Sequence, residues 1–579
     1  MTVDTHTTTT QSNSRQGNPS WRFKFVVSLV VILSLILLWR IVSLQVLDNG
    51  FLKHQGEIRS LRTLAISAVR GAIYDRNGEP LAVSTPMTTI WVNVKELLRQ
   101  RLDLASLAQA TYLSTEELDT FIQHNNTKQF AYLFRRIPPD QAGAIMSRVK
   151  SLHLKGFYTL DEFRRYYPEG AAAAHVVGFT DVSDAGSEGM ELAFNSVLKG
   201  VQGKQQVIKN LHGDVIADLG MIKPAEPGKA LTLSIDLRLQ YLANKYLKEA
   251  MDRNKAESAT AVVMDVHTGE ILAMANQPSY NPNNLVNLSP RTLRNSAMID
   301  VFEPASTMKA LSMTAALESR RWKPDDSVNV RPGYLKLGKY TVHDLTRSEP
   351  AVLNMTDILI YSSNVGISQV AFDIGGDKIH DLVSRLGFGK LSNSAFPGER
   401  AGVLPTYRTW YETETATLAY GYGLSVTAVQ LVKAYAVLAN GGHDISVSLL
   451  KTERTATGKQ LVRPEVAATI RSMLTTVIET PRGIFRARIN GYHVAGKSGT
   501  SRKNNVYSGN GKRAYRALFA GFAPASDPRF AAVVVIDNPT AAGYYGGLVA
   551  APVFKTLMAD ALRIYNVPMD NPTTLRGIR

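Results

Sequence analysis

The strongest pattern in the chain is an apolar run near its start, FVVSLVVILSLILLW from Phe25 to Trp39, which resumes after Arg40 as IVSLQVL. As a helix, Phe25 to Leu47 would extend roughly 34 Å, enough to cross the hydrocarbon core of a membrane. Arg22 and Lys24 precede the run, and Arg40 can snorkel to the far interface beside Trp39. No small-x-small cleavage motif follows, so the pattern predicts a permanent anchor over residues 21–47 rather than a removed signal. Residues 1–20 carry almost no large apolar side chains to offset the entropy of ordering them, and are expected to form a disordered cytoplasmic tail. Arg15, Arg22 and Lys24 before the span face Lys53, Arg59 and Arg62 after it, so positive charge alone does not set the orientation.

Beyond the anchor, RGAIYDRNGEPLAVS (residues 70–84) reads as two strands around an Asn77-Gly78 turn. STEELDTFIQ and PDQAGAIMSRVK read as helices, and GSEGMELAFNSVLKGVQGKQQ is punctuated by glycine. Proline and glycine cluster in KPAEPGKA (residues 223–230), which predicts a domain boundary. A helix DLRLQYLANKYLKEAMDR and a hairpin ATAVVMDVHTGEILAMAN, turning at His267–Gly269, follow it. ALFAGFAP and RFAAVVVID supply two late strands. Strands that bracket a helix-rich middle predict an α+β fold with an antiparallel sheet flanked by helices. The expected divisions are 1–20 tail, 21–47 anchor, 48–225 non-catalytic pedestal and 226–579 catalytic domain.

At 579 residues the chain exceeds one ordinary core. The absence of cysteine removes thiolate nucleophiles, cysteine zinc sites and disulfides, so an acyl enzyme here must use an oxygen nucleophile. Eleven histidines include no H-E-x-x-H pair, and neither metal nor cofactor is implied. The net charge of +16 favours anionic surfaces, but no arginine-rich run interleaved with aromatics points to nucleic acid.

One segment, GYHVAGKSGT (residues 491–500), fits two chemistries: a phosphate-binding loop, or the K-S-G-T wall of a serine acyl-transfer site. A phosphate loop needs a preceding buried strand and a helix that starts at the Lys-Ser pair. Here GTSRKNNVYSGNGKR follows Lys497-Ser498 without helical periodicity, so the phosphate reading fails. Acyl transfer needs two further elements upstream, and both are present. In EPASTMKALSMTAALE, Pro304 suits a first helical turn, Met308, Leu311 and Ala315 share a face, and Ser306 and Lys309 lie three apart. In IYSSNVGIS, Ser362 and Asn364 stand two apart just after the helical-looking TDILIY.

S-x-x-K, S-x-N and K-[ST]-G in that order resemble the signature of penicillin-binding proteins and serine β-lactamases. RGAIYDRNG, AVVMDVHTGEILAMANQPSYNPN, YGYGLSVTAVQL and the anchor narrow the resemblance to division-specific class B penicillin-binding proteins, from about Trp21 onward. Ser363, where β-lactamases carry Asp, and Ser498, where many relatives carry Thr, depart from the generic pattern.

The resemblance implies a septal peptidoglycan D,D-transpeptidase with a serine β-lactamase-like catalytic fold. Ser306 would attack the D-Ala-D-Ala peptide bond, release the terminal D-Ala and pass the acyl group to a neighbouring amine. Lys309 is the candidate base, provided that burial and the nearby charge of Lys497 lower its pKa, although which group takes the proton stays open. Ser362 would relay the proton, and Asn364 would orient Lys309 and hold the substrate amide. Lys497, Ser498 and Thr500 would grip the substrate carboxylate, and NH groups of Ser306 and Thr500 would form the oxyanion hole. Gly499 would leave room for substrate along the strand, and Arg502, Tyr515, Tyr544 and Tyr545 would line a binding wall. The implied ligands are D-Ala-D-Ala stem peptides and β-lactams, and the implied partners are a membrane glycan polymerase, other division proteins and inner-membrane lipid. Single-pass anchoring in the inner membrane, with the catalytic domain in the periplasm, completes the expectation. A β-lactamase, a β-lactam sensor or a non-catalytic scaffold would share parts of this pattern.

Overall fold

The computed structural model describes residues 20–47, 50, 54, 61–100, 103–209, 215–344, 350–452, 458–507, 513–541 and 543–572. Most of the expected tail, residues 1–19, lies outside them. Contacts divide the chain into two units, one holding the described residues up to Ile66 with Gln202–Ala225, the other Ser67–Val201 with Glu226 onward. In the first unit a helix over Ser20–Val42 continues as a π-helical turn, Ser43–Leu47. The span Trp21–Val46 is long and apolar enough to cross a membrane, and its most apolar window buries nothing within the protein. A three-stranded antiparallel sheet of Leu61–Ile66, Gly203–Lys209 and Val215–Lys223, with Gly203–Lys209 central, completes the unit.

In the second unit, Ile73–Tyr74 pairs with the start of a long strand, Pro80–Val92, across the expected Asn77-Gly78 turn. Asp75 closes that turn by accepting from the backbone NH groups of Asn77 and Glu79, while Gly78 takes φ +92°, which glycine adopts without steric cost. The second strand runs further than the expected Ser84, because Val83 to Val92 pair with Phe157–Tyr166. Helices Thr115–Asn125 and Pro139–Ser151 stand where the sequence pattern puts them, the first closed by a Ser114/Glu117 capping box. Ile90, Val92, Leu107, Ile145 and Phe157 form a local core for this region. Arg70 and Arg165 both meet the buried Glu191 carboxylate, at 2.7 and 2.6 Å, so no charge in that trio is buried alone.

The C-terminal part is built on five antiparallel strands. In chain order they are β1 (Ser258–Asp265), β2 (Ile271–Gln277), β3 (Ala495–Tyr507), β4 (Arg513–Ala523) and β5 (Phe530–Asp537). Their order across the sheet is β2-β1-β5-β4-β3, so the chain lays down one hairpin, makes its helices, and returns to complete the sheet beside β1. β3, which carries Lys497, is an edge strand.

Both faces of the sheet are covered. Along β5, Ala531, Val533 and Val535 enter one core, while Phe530, Ala532, Val534 and Ile536 enter the other, the period of two that a strand imposes. Helices α1 (Leu237–Asn254) and, at the chain's end, Ala551–Ile564 cover the second face. The first face carries the helical middle, including α2 (Met308–Glu318) and α3 (Asn364–Ile374).

α2 departs from the expected one-faced pattern, since every residue from Met308 to Leu317 is buried. It is surrounded by α3, Gly376–Arg385, Glu412–Tyr420 and Pro464–Glu479. Its polar side chains are satisfied in place: the Ser312 hydroxyl donates to Ala419 O at 2.8 Å, and Thr314 to Ala310 O at 2.8 Å.

Candidate active site

Ser306 lies in a short 3-10 turn, Ala305–Thr307, that leads directly into α2 and keeps the three-residue spacing to Lys309. Ala305 before it is left-handed, φ +48°, and its NH donates to Gly421 O at 2.9 Å. Such a backbone in a residue with a Cβ costs on the order of 1–3 kcal/mol and persists only where surrounding contacts enforce it. Gly421 is one of them, because a Cβ there would stand 2.1 Å from Ala305 O.

Lys309 is fully buried, and its Nζ is the hub of the site. It lies 3.1 Å from Ser306 Oγ, 3.1 Å from Ser362 Oγ, 2.7 Å from Asn364 Oδ1 and 2.5 Å from Ser362 O. Two of these partners, the carbonyl oxygens of Ser362 and Asn364, can only accept. A neutral amine that gives its two N–H bonds to them keeps its lone pair for a hydroxyl proton. The Asn364 amide is oriented by its own Nδ2, which donates to His343 O at 2.9 Å. Ser362 is left-handed, φ +58°, and this turns both its oxygens toward Lys309.

Lys497 reaches the same hydroxyl from the other side, donating to Ser362 Oγ at 3.1 Å and to Ser498 O at 3.2 Å. Ser362 Oγ therefore bridges two amines, an arrangement that can pass a proton between them. Complete burial holds the pKa of Lys497 down at about 7. An unfolded lysine stays protonated to about 10.4, so between these values the unfolded chain binds a proton that the folded chain does not. Lys497 thus costs stability in full below about pH 7, and less as pH rises toward 10.4. Lys497→Met is expected to raise the thermal unfolding midpoint at roughly pH 6 and to lose that advantage by about pH 10. Calorimetry across this range checks the sign, and an advantage that grows with pH contradicts it.

The cleft above these lysines has a volume of about 340 Å³ and is lined by Ser306, Ser362, Asn364, Tyr422, Ser498, Gly499, Thr500, Arg502, Tyr515 and Tyr544–Gly547. Every site residue expected from the sequence is here, with Lys309 and Lys497 buried beneath its floor. Lys497 and Ser498 lie inside β3, paired with Ala520 and Phe519, which rules out the strand-loop-helix context of a phosphate loop. Gly499 makes room for the turn that carries Ser306 rather than, as expected, for substrate, since a Cβ would come within 3.0 Å of Pro304 O and 3.2 Å of Thr307 Cγ2. The aromatic wall is a stack: the rings of Tyr515 and Tyr544 are 4.1 Å apart and nearly parallel, and Tyr545 follows at 4.7 Å.

Sequence reasoning did not assign Tyr422 to the site, and it took Gly546 and Gly547 only as part of the GYYGG segment beside the aromatic wall. The Tyr422 hydroxyl donates to Thr500 O at 3.2 Å and so ties the YGYG segment to β3. Gly546 NH donates to Thr500 Oγ1 at 3.1 Å, and a Cβ on Gly546 would lie 2.2 Å from Leu518 O and 2.3 Å from Gly499 O. The glycines of GYYGG were the available signal, because a loop that packs against strand backbone requires them.

The penicillin-binding protein transpeptidase domain matches residues 259–559, and the penicillin-binding protein dimerisation domain matches residues 65–233. The probable peptidoglycan D,D-transpeptidase PbpC of Pseudomonas aeruginosa is 43% identical over 552 residues, covering 95% of this chain and 96% of that protein. Peptidoglycan D,D-transpeptidase FtsI of Escherichia coli K12 is 39% identical over 560 residues, 96% of this chain and 94% of its own. Penicillin-binding protein 3 of Mycobacterium tuberculosis, in complex with aztreonam, superposes with a TM-score of 0.66 at 26% identity, covering 88% of this chain and 99% of that structure. With both domains matched and full-length relatives well above 30% identity, this chain belongs to the class B penicillin-binding proteins.

Proposed function

We propose that the protein is a peptidoglycan D,D-transpeptidase that cross-links stem peptides at the division septum through an acyl enzyme on Ser306, and that β-lactams inhibit it covalently. The observation that carries this reading is the convergence of Ser306, Ser362 and Asn364 on the buried amine of Lys309, at the floor of an open cleft. Lys309 takes the Ser306 proton as the hydroxyl attacks the carbonyl of D-Ala-D-Ala. Ser362, between the two lysines, delivers a proton to the departing amine of D-Ala. The Ser498 and Thr500 hydroxyls hold the terminal carboxylate, with Lys497 beneath them lending positive charge when protonated, and the NH groups of Ser306 and Thr500 receive the oxyanion. Arg502, Tyr515, Tyr544 and Tyr545 bound the donor peptide. A β-lactam offers the same carboxylate and a strained amide, so it acylates the same serine.

Residues 226–579 carry this chemistry, 48–225 serve as a pedestal, and the Trp21–Val46 helix anchors the protein by a single pass. Peptidoglycan lies outside the cytoplasmic membrane, so the catalytic domain faces the periplasm. A membrane glycan polymerase that supplies nascent strands is the expected partner, along with other division proteins. Incubation with labelled penicillin and mass spectrometry should show one adduct, on Ser306, that persists through a chase. Rapid loss of label would instead identify a β-lactamase, and an adduct elsewhere would overturn the assignment.

A further inference from the structure

The S-x-N turn of this chain has Ser363 between its two functional residues, where β-lactamases carry Asp. A carboxylate from elsewhere in the chain nevertheless meets this turn. Asp344 reaches it from the end of a separate hairpin, Tyr334–Leu337 paired with Tyr340–His343. Its Oδ2 accepts from the Ser363 hydroxyl at 2.8 Å, and its Oδ1 accepts from Asn364 N at 2.6 Å and Val365 N at 2.9 Å. Those two NH groups open α3, where backbone donors lack helical partners and the helix dipole favours negative charge. Ser363 Oγ meanwhile accepts from Gly366 N at 2.9 Å as the N-cap of α3. Asp344 is itself held, its NH donating to Gly333 O at 3.0 Å, and the neighbouring His343 O accepts from the Asn364 side chain. The hairpin end therefore clamps the segment that immediately follows left-handed Ser362.

We propose that Asp344 is a positioning residue for acylation. Its carboxylate does from a neighbouring hairpin what an aspartate at position 363 would do from within the turn: it fixes the Ser362–Asn364 backbone so that Ser362 O, Ser362 Oγ and Asn364 Oδ1 all face Lys309. This arrangement also makes the hairpin a mechanical input to the active site, since any displacement of Asp344 releases three hydrogen bonds at the start of α3. The proposal rests on the acyl-transfer reading above, which the adduct on Ser306 of the unaltered protein tests first and separately.

The experiment relocates the charge. In the full-length protein, Asp344→Ser is expected to lower the second-order rate of acylation by a fluorescent penicillin by about 10- to 100-fold, chiefly in the acylation step rather than in initial binding. Adding Ser363→Asp to that variant, which returns a carboxylate to the helix start, is expected to recover at least tenfold. An Asp344→Ser protein that acylates within threefold of the unaltered rate overturns the proposal. So does a double variant that regains its thermal midpoint without regaining acylation, because Asp344 would then be a cap for α3 and nothing more. Should Asp344→Ser fail to fold, Asp344→Asn keeps the shape and one acceptor oxygen while removing the charge. A fivefold or greater slowing of acylation is expected there, and an unchanged rate refutes the proposal.

Discussion

Replacing Ser306 with alanine is expected to eliminate both the penicillin adduct and peptide cross-linking, a loss on the order of 10⁶-fold, as when the nucleophile is deleted from a serine acyl-transfer site. No thiol can substitute, because the chain contains no cysteine. The other hydroxyl near the lysine amine, Ser362 Oγ, is shared between Lys309 and Lys497 at 3.1 Å each. In the proposed mechanism it serves proton relay rather than attack. Ser306 is partly exposed in the cleft, and alanine keeps the backbone turn, so the thermal midpoint should change little. Intact-mass measurement after exposure to penicillin, with a cross-linking assay in parallel, checks both halves. A stoichiometric adduct on the alanine variant would mean that Ser362 or another group is the true nucleophile.

Lys309→Met is the second large effect. Loss of a positioned general base commonly costs 10²- to 10⁴-fold, and the upper part of that range is expected here because Lys309 also organises both oxygens of Ser362 and the Asn364 amide. Stability should move far less. Methionine leaves the Ser362 and Asn364 carbonyl oxygens without the lysine donor, at about 1–3 kcal/mol each, but it also removes the cost of enclosing an amine in a fully buried position. The two contributions oppose each other, so activity and unfolding midpoint separate. Stopped-flow acylation and calorimetry on one preparation measure them together. More than a tenth of the original acylation rate in a folded Lys309→Met protein would remove Lys309 from the role of base.

The features readable along the chain are those set by neighbours in sequence. The apolar span, the helix over STEELDTFIQ, the Asn77-Gly78 turn and the apolar late strands each rest on neighbours within a few positions, where backbone geometry dictates which side chains meet. Ser306 and Lys309 belong with them, since three residues on a helical path place a hydroxyl beside an amine. The motif order chose the chemistry, and the edge strand carrying Lys497 stands where that chemistry needs it. Less of the supporting shell was legible. The apolar face expected of α2 became complete burial, because four other helices close around it. Tyr422 and Asp344 give no local sign of their roles, for each acts on a segment distant in the chain.

Sequence alone thus determined the apolar span, the α+β class, the family and its class of reaction, and it singled out Ser306 as the candidate nucleophile. Tertiary structure alone decided that Lys309 meets Ser362 across 53 positions and that Lys497 meets it across 135. It also decided that Lys497 is dry enough for its proton to be loosely held near neutral pH. The reason is physical: spacing conveys distance for only a turn or two of backbone, whereas convergence and desolvation arise only when the sheet and helices have closed over the amine.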